Sequence, residues 1–285
     1  MIVTGQSAKT TFVSVSIAVA YCQMSRRNLA EIRVLITGAS SGIGAALAIE
    51  LATRHARLVL NGRREEKLQE VADRIRAAGG QAVLAPGDVT DRTARSAALA
   101  AADREFGGLD ILINNAGVSA WGIFDQAQED RLRRIMETNF FALAELTREA
   151  VPYLQRGRAP LVVNVASILG HRGIPFQAEY CASKFAVRGL SEAIRPELRR
   201  LNIDLLVVSP GTTESEFFDH LLERAADLPW RRRRGVPASQ VARQTARAMI
   251  RGRHEIIPSG QGRLLVWLNR LFPRLVDAWM QRYTV

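Results

Sequence analysis

Residues 32–44 read IRVLITGASSGIG, and AALAIELATR (45–54) follows directly. Six residues, IRVLIT, form a short apolar run of the length and β-branched content of a buried strand. Gly38, Gly42 and Gly44 then punctuate a turn, and a helix-forming stretch rich in Ala, Leu and Ile takes over. Glycines let the backbone turn tightly and approach a pyrophosphate closely, and the new helix offers unpaired N–H groups and the positive end of its dipole. A glycine-rich loop alone is weak evidence for nucleotide binding. The strand before it and the helix after it are the context that strengthens it.

Outward from this stretch the pattern repeats. IRVLIT (32–37), RLVLN (57–61), AVLAP (82–86), DILIN (110–114), PLVVNVA (160–166), DLLVVS (204–209) and HEIIP (254–258) are apolar runs separated by helical periodicity. Such βαβ alternation predicts one α/β domain over 32–258, a doubly wound sheet of seven parallel strands with helices on both faces. Residues 1–31 are an N-terminal extension and 259–285 an amphipathic tail; no repeat and no linker divides the rest. The stretch 211–240, with PWRRRRGVP inside it, reads as an irregular, mobile excursion.

Composition narrows the function. The net charge of +11 is almost all arginine and spread along the chain, without the basic helix or aromatic RNA motif of a nucleic-acid binder. Cys22 and Cys181 are the only cysteines, too few for a disulfide framework and without zinc-site spacing. No apolar run reaches the roughly 18 residues of a spanning helix. TFVSVSIAVAYC near the N-terminus is shorter, and it faintly resembles a signal peptide whose leading segment carries only Lys9. Met24 is the preferred start, because the fold signal begins just after it, and a reducing cytoplasm is the expected compartment.

The spacing Gly38-x-x-x-Gly42-x-Gly44 preceded by Thr37 resembles the TGxxxGxG motif of the short-chain dehydrogenase/reductase family, and further motifs follow in that family's order. The resemblance covers about Ile32 to Pro258 and implies a Rossmann-type three-layer fold and a nicotinamide cofactor. It places Gly38, Ser40, Ser41, Gly42, Ile43 and Gly44 on the cofactor. Asp88-Val89 matches the position that meets the adenine ring, and Asn114-Asn115-Ala116-Gly117 matches NNAG, which lines the cofactor. Pro210-Gly211-Thr212 matches the turn at the nicotinamide carboxamide, with Ser215 where the family often has Thr.

Cofactor choice has its own argument. An NAD enzyme usually carries a carboxylate at the end of the second strand for the ribose hydroxyls, and that charge would repel a 2′-phosphate. Here Asn61-Gly62-Arg63-Arg64 removes the acid and supplies cations. NADP(H) is the expected cofactor, with Arg63 as phosphate ligand and Arg64 as helper.

The chemistry points to EYCASK (179–184). Tyr180 and Lys184 are four apart on a helix and share a face. Ser167 ends a strand at the carboxyl edge, where open α/β sheets place ligands. With Asn139 these complete the family's Asn, Ser, Tyr, Lys tetrad. Reducing a carbonyl needs a hydride at carbon, which nicotinamide supplies, and a proton at oxygen, which the protein supplies. Tyr180 is the acid and Ser167 polarises the oxygen. A phenol titrates near pH ~10, so a neighbouring cation is expected to stabilise its anion. Lysine is found only at Lys9, Lys67 and Lys184 in this arginine-rich chain. In the family picture its compact ammonium also meets the nicotinamide ribose and, through a water held by Asn139, a proton path; a planar guanidinium lacks that geometry.

Among other polar residues, His171 is close enough in sequence to Ser167 to reach substrate, Cys181 packs, and no metal site is expected. Pro196 should end or kink its helix. Trp121, Ile168, Leu169, Ile174, Phe217, Phe218 and Leu221 are expected around the substrate and favour a hydrophobic ketone or aldehyde. The tail GRLLVWLNRLFPRLVDAWMQRY, broken at Pro273, allows two readings: an interfacial helix on anionic lipid, or a terminal helix packed on this chain or a neighbouring subunit, which is favoured. The leading function is an NADP(H)-dependent carbonyl reductase. A 3-oxoacyl thioester reductase and a non-catalytic NADP-binding sensor or scaffold are the alternatives, and the resemblance implies a homodimer or homotetramer.

Overall fold

The computed structural model describes Met24 and residues 26–218, 220–226 and 235–283, the side chain of Phe218 excepted. The expectations for Lys9, Cys22, the segment 1–23 and the Phe218 side chain lie outside the described residues.

The seven-stranded sheet comprises β1 (Arg33–Thr37), β2 (Arg57–Gly62), β3 (Gln81–Pro86), β4 (Ile111–Asn114), β5 (Leu161–Val165), β6 (Asp204–Val208) and, after two short strands described below, β9 (Glu255–Ile256). Every pairing is parallel and the order is β3-β2-β1-β4-β5-β6-β9. Each expected run contains one of these strands, with ends shifted by a residue or two. Central parallel strands are covered on both faces, which is why they read as continuous apolar runs instead of alternating ones.

The pleat divides those runs between two cores. Val34, Ile36, Leu58, Leu60, Ile111 and Ile113 point to one face, where they meet α1 (Gly42–Ala52), α2 (Glu65–Ala77) and α7 (Ala238–Arg251). Leu35, Val59, Leu112, Val162 and Leu205 point to the other, against α3 (Arg92–Phe106), α5 (Ala142–Leu154) and α6 (Ala178–Arg200). Chain order reverses between β1 and β4, so the crevice at their carboxyl ends is the place for a ligand. The helices begin and end where local chemistry directs. Asp91 caps α3 by accepting the Thr93 N–H at 2.8 Å, and Gly107 closes it at φ 74°, a left-handed conformation that suits glycine.

α6 does not end at Pro196 but continues to Arg200. Pro196 and Glu192, whose carbonyl loses its helical donor, are both exposed residues. The excursion after β6 is partly regular: β7 (Thr213–Glu214) pairs with β8 (Val236–Pro237). Leu222, Glu223 and Ala225 run along Ser119–Trp121, with backbone hydrogen bonds of 2.7–2.9 Å. Ahead of β1, Arg27 forms a buried ion pair with Asp204, and Leu29 is buried. The tail forms α8 (Gly260–Leu271) and α9 (Pro273–Gln281), with Pro273 opening the second helix, where its missing N–H costs nothing. No helix among the described residues is long and apolar enough to cross a membrane.

Candidate active site

A cleft of about 1170 Å³ opens at the carboxyl edge of the sheet, above the reversal of strand order. At one end the turn between β1 and α1 forms its floor. Gly38 has φ 63°, and a Cβ placed there would lie 2.9 Å from Ala116 Cα. A Cβ at Gly44 would stand 2.1 Å from the Gly38 carbonyl oxygen, so Gly44 lies behind the cleft and lets the turn close. Asn115 clamps the turn from the other side, its Nδ2 donating to the carbonyls of Thr37 (3.0 Å) and Gly38 (3.1 Å). Thr37 Oγ1 accepts the N–H groups of Asn115 and Ala116 at 3.0 and 3.1 Å. Thr37 and Asn115 thus tie the ends of β1 and β4 together beneath the glycine turn.

Ser40, Ser41, Gly42, Ile43, Asp88, Val89, Ala116, Gly117, Pro210, Gly211, Thr212 and Ser215 all face this cleft. Ser215 sits against the turn, since a Cβ on Gly42 would come within 3.1 Å of its own. A shape that excludes even a methyl group at Gly38 and Gly44, open along one side, suits a dinucleotide: the residues present fit the cofactor that the turn implies.

Two arginines follow β2. Arg63 is two-thirds exposed, its guanidinium 3.7 Å from Asp88. Arg64 is more firmly placed: Nη2 donates to Ser41 Oγ at 2.9 Å, and Nη1 lies 2.9 Å from His220 Nε2 and 3.4 Å from Glu216. Of the two, it is Arg64 that touches the glycine turn. Glu216 and His220 come from the excursion and were not anticipated, because 152 residues separate Arg64 from Glu216 in sequence.

At the other end, Ser167, Tyr180 and Lys184 converge. Ser167 lies just past β5, where it caps a turn by accepting the Leu169 N–H at 3.1 Å. Its hydroxyl donates to the Pro210 carbonyl at 3.4 Å, and its side chain faces the cleft together with Tyr180. One turn along α6, Lys184 is buried, donates to the Val165 carbonyl at 2.9 Å, and stands 5.7 Å from the Tyr180 ring centroid. Burial drives its pKa down to about 8. The Tyr180 phenol moves upward, against the expected direction: burial raises it and the neighbouring Ser167 hydroxyl only partly opposes this. The ammonium donates to the Val165 carbonyl, and loss of solvent around the phenol is the larger influence on it. A phenol held in its protonated form is a proton donor in waiting.

Asn139 does not line the cleft. It is fully buried in a π-turn, Glu137–Phe141, that interrupts the helix between α4 (Glu129–Met136) and α5. Such turns often mark functional positions. Its Nδ2 donates to the Val118 carbonyl and to Ser183 Oγ, both at 2.9 Å, and its Oδ1 accepts the Val118 N–H at 2.8 Å. Asn139 thus fixes the segment after β4 that carries Gly117 against the helix that carries Tyr180 and Lys184. A second buried chain runs Asn164–Asn114–Thr147, with Asn114 Nδ2 donating at 2.9 Å to each neighbour.

Around the substrate end, Trp121, Ile168, Leu169, Ile174 and Phe217 face the cleft as expected, and Tyr180 packs on Phe217 with ring centroids 5.9 Å apart. Leu221 does not face it; this stretch approaches a small core of Val118, Ala120 and Ile135 through Leu222. His171 is also turned away, with Nε2 3.2 Å from Ser209 Oγ and 3.1 Å from Glu255. That carboxylate arrives from β9 and outcompetes the cleft for the imidazole. Cys181 is buried, and burial raises its thiol pKa to about 11, in keeping with a packing role. Among the described residues no group of His, Cys, Asp and Glu could hold a metal ion. The tail folds back over the site: Leu265 and Leu268 of α8 and Met280 of α9 complete its apolar wall. Arg172 anchors it through Asn269 at 3.2 Å and Asp277 at 2.6 Å.

The family model described as short chain dehydrogenase matches residues 33–226. The chain is 35% identical over 260 residues to 11-beta-hydroxysteroid dehydrogenase A of Sesamum indicum, covering 87% of this chain and 74% of that protein. It is 36% identical over 178 residues to ketoacyl reductase HetN of Nostoc, covering 62% of each. Among solved structures, a short chain dehydrogenase/reductase from Burkholderia phymatum in complex with NAD superposes with a TM-score of 0.79 at 26% identity, over 87% of this chain and 96% of that one.

Proposed function

This chain belongs to the short-chain dehydrogenase family of oxidoreductases, and from that premise we propose that it transfers a hydride between NADP(H) and the carbonyl carbon of a hydrophobic ketone or aldehyde. The observation that carries the proposal is the meeting of Ser167, Tyr180 and Lys184 at one end of a cleft whose other end is a glycine cradle.

The nicotinamide supplies the hydride when bound; the chain supplies the rest. Gly38, Gly42 and the N-terminus of α1 hold the pyrophosphate, Asp88 and Val89 the adenine side, and Pro210, Gly211, Thr212 and Ser215 the nicotinamide side. Arg63 and Arg64 receive the 2′-phosphate. This is the part of the reading on which the NAD complex of the Burkholderia protein gives no support, and it rests on the absence of a carboxylate at Gly62 and the presence of two guanidinium groups. Ser167 donates to the substrate oxygen. Tyr180, protonated at neutral pH, delivers its proton there as negative charge develops on that oxygen. The resulting phenolate is balanced by the Lys184 ammonium on the same helix face. Leu169, Phe217, Leu265, Leu268 and Met280 exclude water and favour an apolar substrate body.

A 3-oxoacyl thioester reductase is the second reading, favoured by the name of the Nostoc relative. The test is oxidation of NADPH and NADH by wild type and Tyr180→Phe against aliphatic ketones, steroids, retinoids, sugars and 3-oxoacyl thioesters. The expected outcome is NADPH-dependent turnover of an apolar carbonyl compound, reduced about 10²- to 10⁴-fold in Tyr180→Phe. Near-normal turnover in that variant refutes the mechanism; tight NADPH binding without turnover of any member favours the sensor alternative.

A further inference from the structure

The helix pair α8–α9 has two apolar faces, and the cleft uses one. Leu265 and Leu268 turn inward, whereas Trp267, Leu271, Phe272 and Leu275 are half to two-thirds exposed. Trp267 and Leu271 are four apart on one face of α8, Leu264 stands beside them at the rim of the cleft, and Phe272 and Leu275 follow at the junction with α9. Contiguous exposed apolar side chains of this size mark a surface that meets something apolar.

Arginines border the stripe. Arg263, Arg270, Arg274 and Arg282 are all exposed on the same pair, and none forms an ion pair among the described residues. The only carboxylate from 260 to 283 is Asp277, already held by Arg172 at 2.6 Å. Basic character extends off the helices into a concavity of about 470 Å³, where Arg247, Arg251 and Arg253 join Arg263. Glu255 also lines that concavity, but it is engaged by His171 at 3.1 Å and Arg188 at 3.6 Å.

These features choose the occupant. A second copy of the chain docking through this face in a two-fold dimer would bring the same patch against itself, setting unpaired arginines against unpaired arginines with no carboxylate to match them. An anionic bilayer meets both requirements, since it takes Trp and Leu side chains at the acyl boundary and guanidinium groups at the phosphates. We propose that the outer face of α8–α9 docks on an anionic phospholipid surface, with Trp267, Leu271, Phe272 and Leu275 entering the headgroup region and the surrounding arginines reading its charge. The inner face of the same helices walls the cleft, so an apolar substrate dissolved in the bilayer would reach the site beside its own reservoir.

The test is flotation of the full chain with vesicles of phosphatidylcholine alone and of three parts phosphatidylcholine to one part phosphatidylglycerol, at low and high salt. It reads binding and not turnover, so it stands or falls separately from the reductase reading. Binding to the mixed vesicles that weakens with salt is expected. Each arginine near an anionic surface contributes roughly five-fold, so Arg270→Glu with Arg274→Glu should lower the partition coefficient by at least about 30-fold. Trp267→Ser with Leu275→Ser should lower it at unchanged charge, with both variants melting as wild type by circular dichroism. Salt dependence of the unaltered chain tests the proposal even where a variant fails to fold. Failure of wild type to float with the mixed vesicles overturns it. So does binding that neither variant weakens, or sedimentation showing a dimer that Trp267→Ser with Leu275→Ser converts to monomer.

Discussion

Arg64→Gln should lower the preference for NADPH over NADH more than Arg63→Gln does. A hydrogen bond to a charged group contributes about 1.5–3 kcal/mol, and unit charges at ~4 Å interact by about 1 kcal/mol in water and about 4 kcal/mol at the dielectric of a partly covered surface. Arg63 is two-thirds exposed, which puts it near the lower end, about 1 kcal/mol or five-fold. Arg64 is about one-third exposed and already oriented by Ser41 at 2.9 Å, so about 2 kcal/mol and a roughly 30-fold change are expected. The assay is the ratio of kcat/KM for the two cofactors with one carbonyl substrate, at low salt, where screening is weakest. Glu216 supplies an internal control. It lies 3.4 Å from Arg64 and would face the incoming phosphate, so Glu216→Gln should raise the ratio. A wild type that prefers NADH refutes the reasoning, as does an Arg64→Gln variant with an unchanged ratio.

The pH profile of carbonyl reduction should fall as pH rises through about 8, because Lys184 is charged below that value and neutral above it, while Tyr180 keeps its proton across the range. A profile flat to pH ~10 contradicts this assignment. The same depressed lysine has a linked effect on stability. Between about 8 and the ordinary 10.5 the unfolded chain holds a proton that the folded chain lacks, so this group adds stability as pH rises through that window, visible in urea midpoints corrected for other groups. Gly44→Ala would put a methyl group 2.1 Å from the Gly38 carbonyl oxygen and should abolish NADPH binding by fluorescence titration. Gly79→Ala, with φ 79° but nothing within 4 Å, should cost only ~1–2 kcal/mol of stability and leave binding intact. Arg131 is buried between Glu179, at 2.6 Å, and Glu223, at 3.2 Å. Arg131→Met should destabilise by about 3–5 kcal/mol, lowering Tm by roughly 10 °C, and adding Glu179→Met should recover part of the loss in calorimetry.

How far the sequence could be read depended on the range of the forces involved. Strand existence is local: a residue buried on both faces must be apolar, so the strands of the seven-stranded sheet announced themselves, whereas the short pair β7 and β8 did not. The helix that carries Tyr180 and Lys184 was equally legible, since spacing alone puts them on one face. What failed were statements about competition. Arg63 and Arg64 are adjacent, and the contacts that distinguish Arg64 come from Ser41 and from an excursion more than 150 residues away in the chain. His171 was within reach of the cleft in sequence, but Glu255 on the last strand holds it elsewhere. The direction of the Tyr180 shift required knowing that the fold takes the phenol out of water, which no motif encodes.

The tail illustrates the same limit from the other side. Its amphipathic pattern invited a choice between packing on the chain and lying on lipid, because a helix with one apolar stripe can satisfy only one of them. The structure divides the pattern in two, Leu265 and Leu268 inward and Trp267, Leu271 and Leu275 outward. The two sets are centred roughly 100° apart around α8, so burying one against the cleft leaves the other still exposed to water. Folding back over the site therefore does not compete with docking on a bilayer. It presents the outer stripe at a fixed angle beside the cleft, on helices that Arg172 already holds in place.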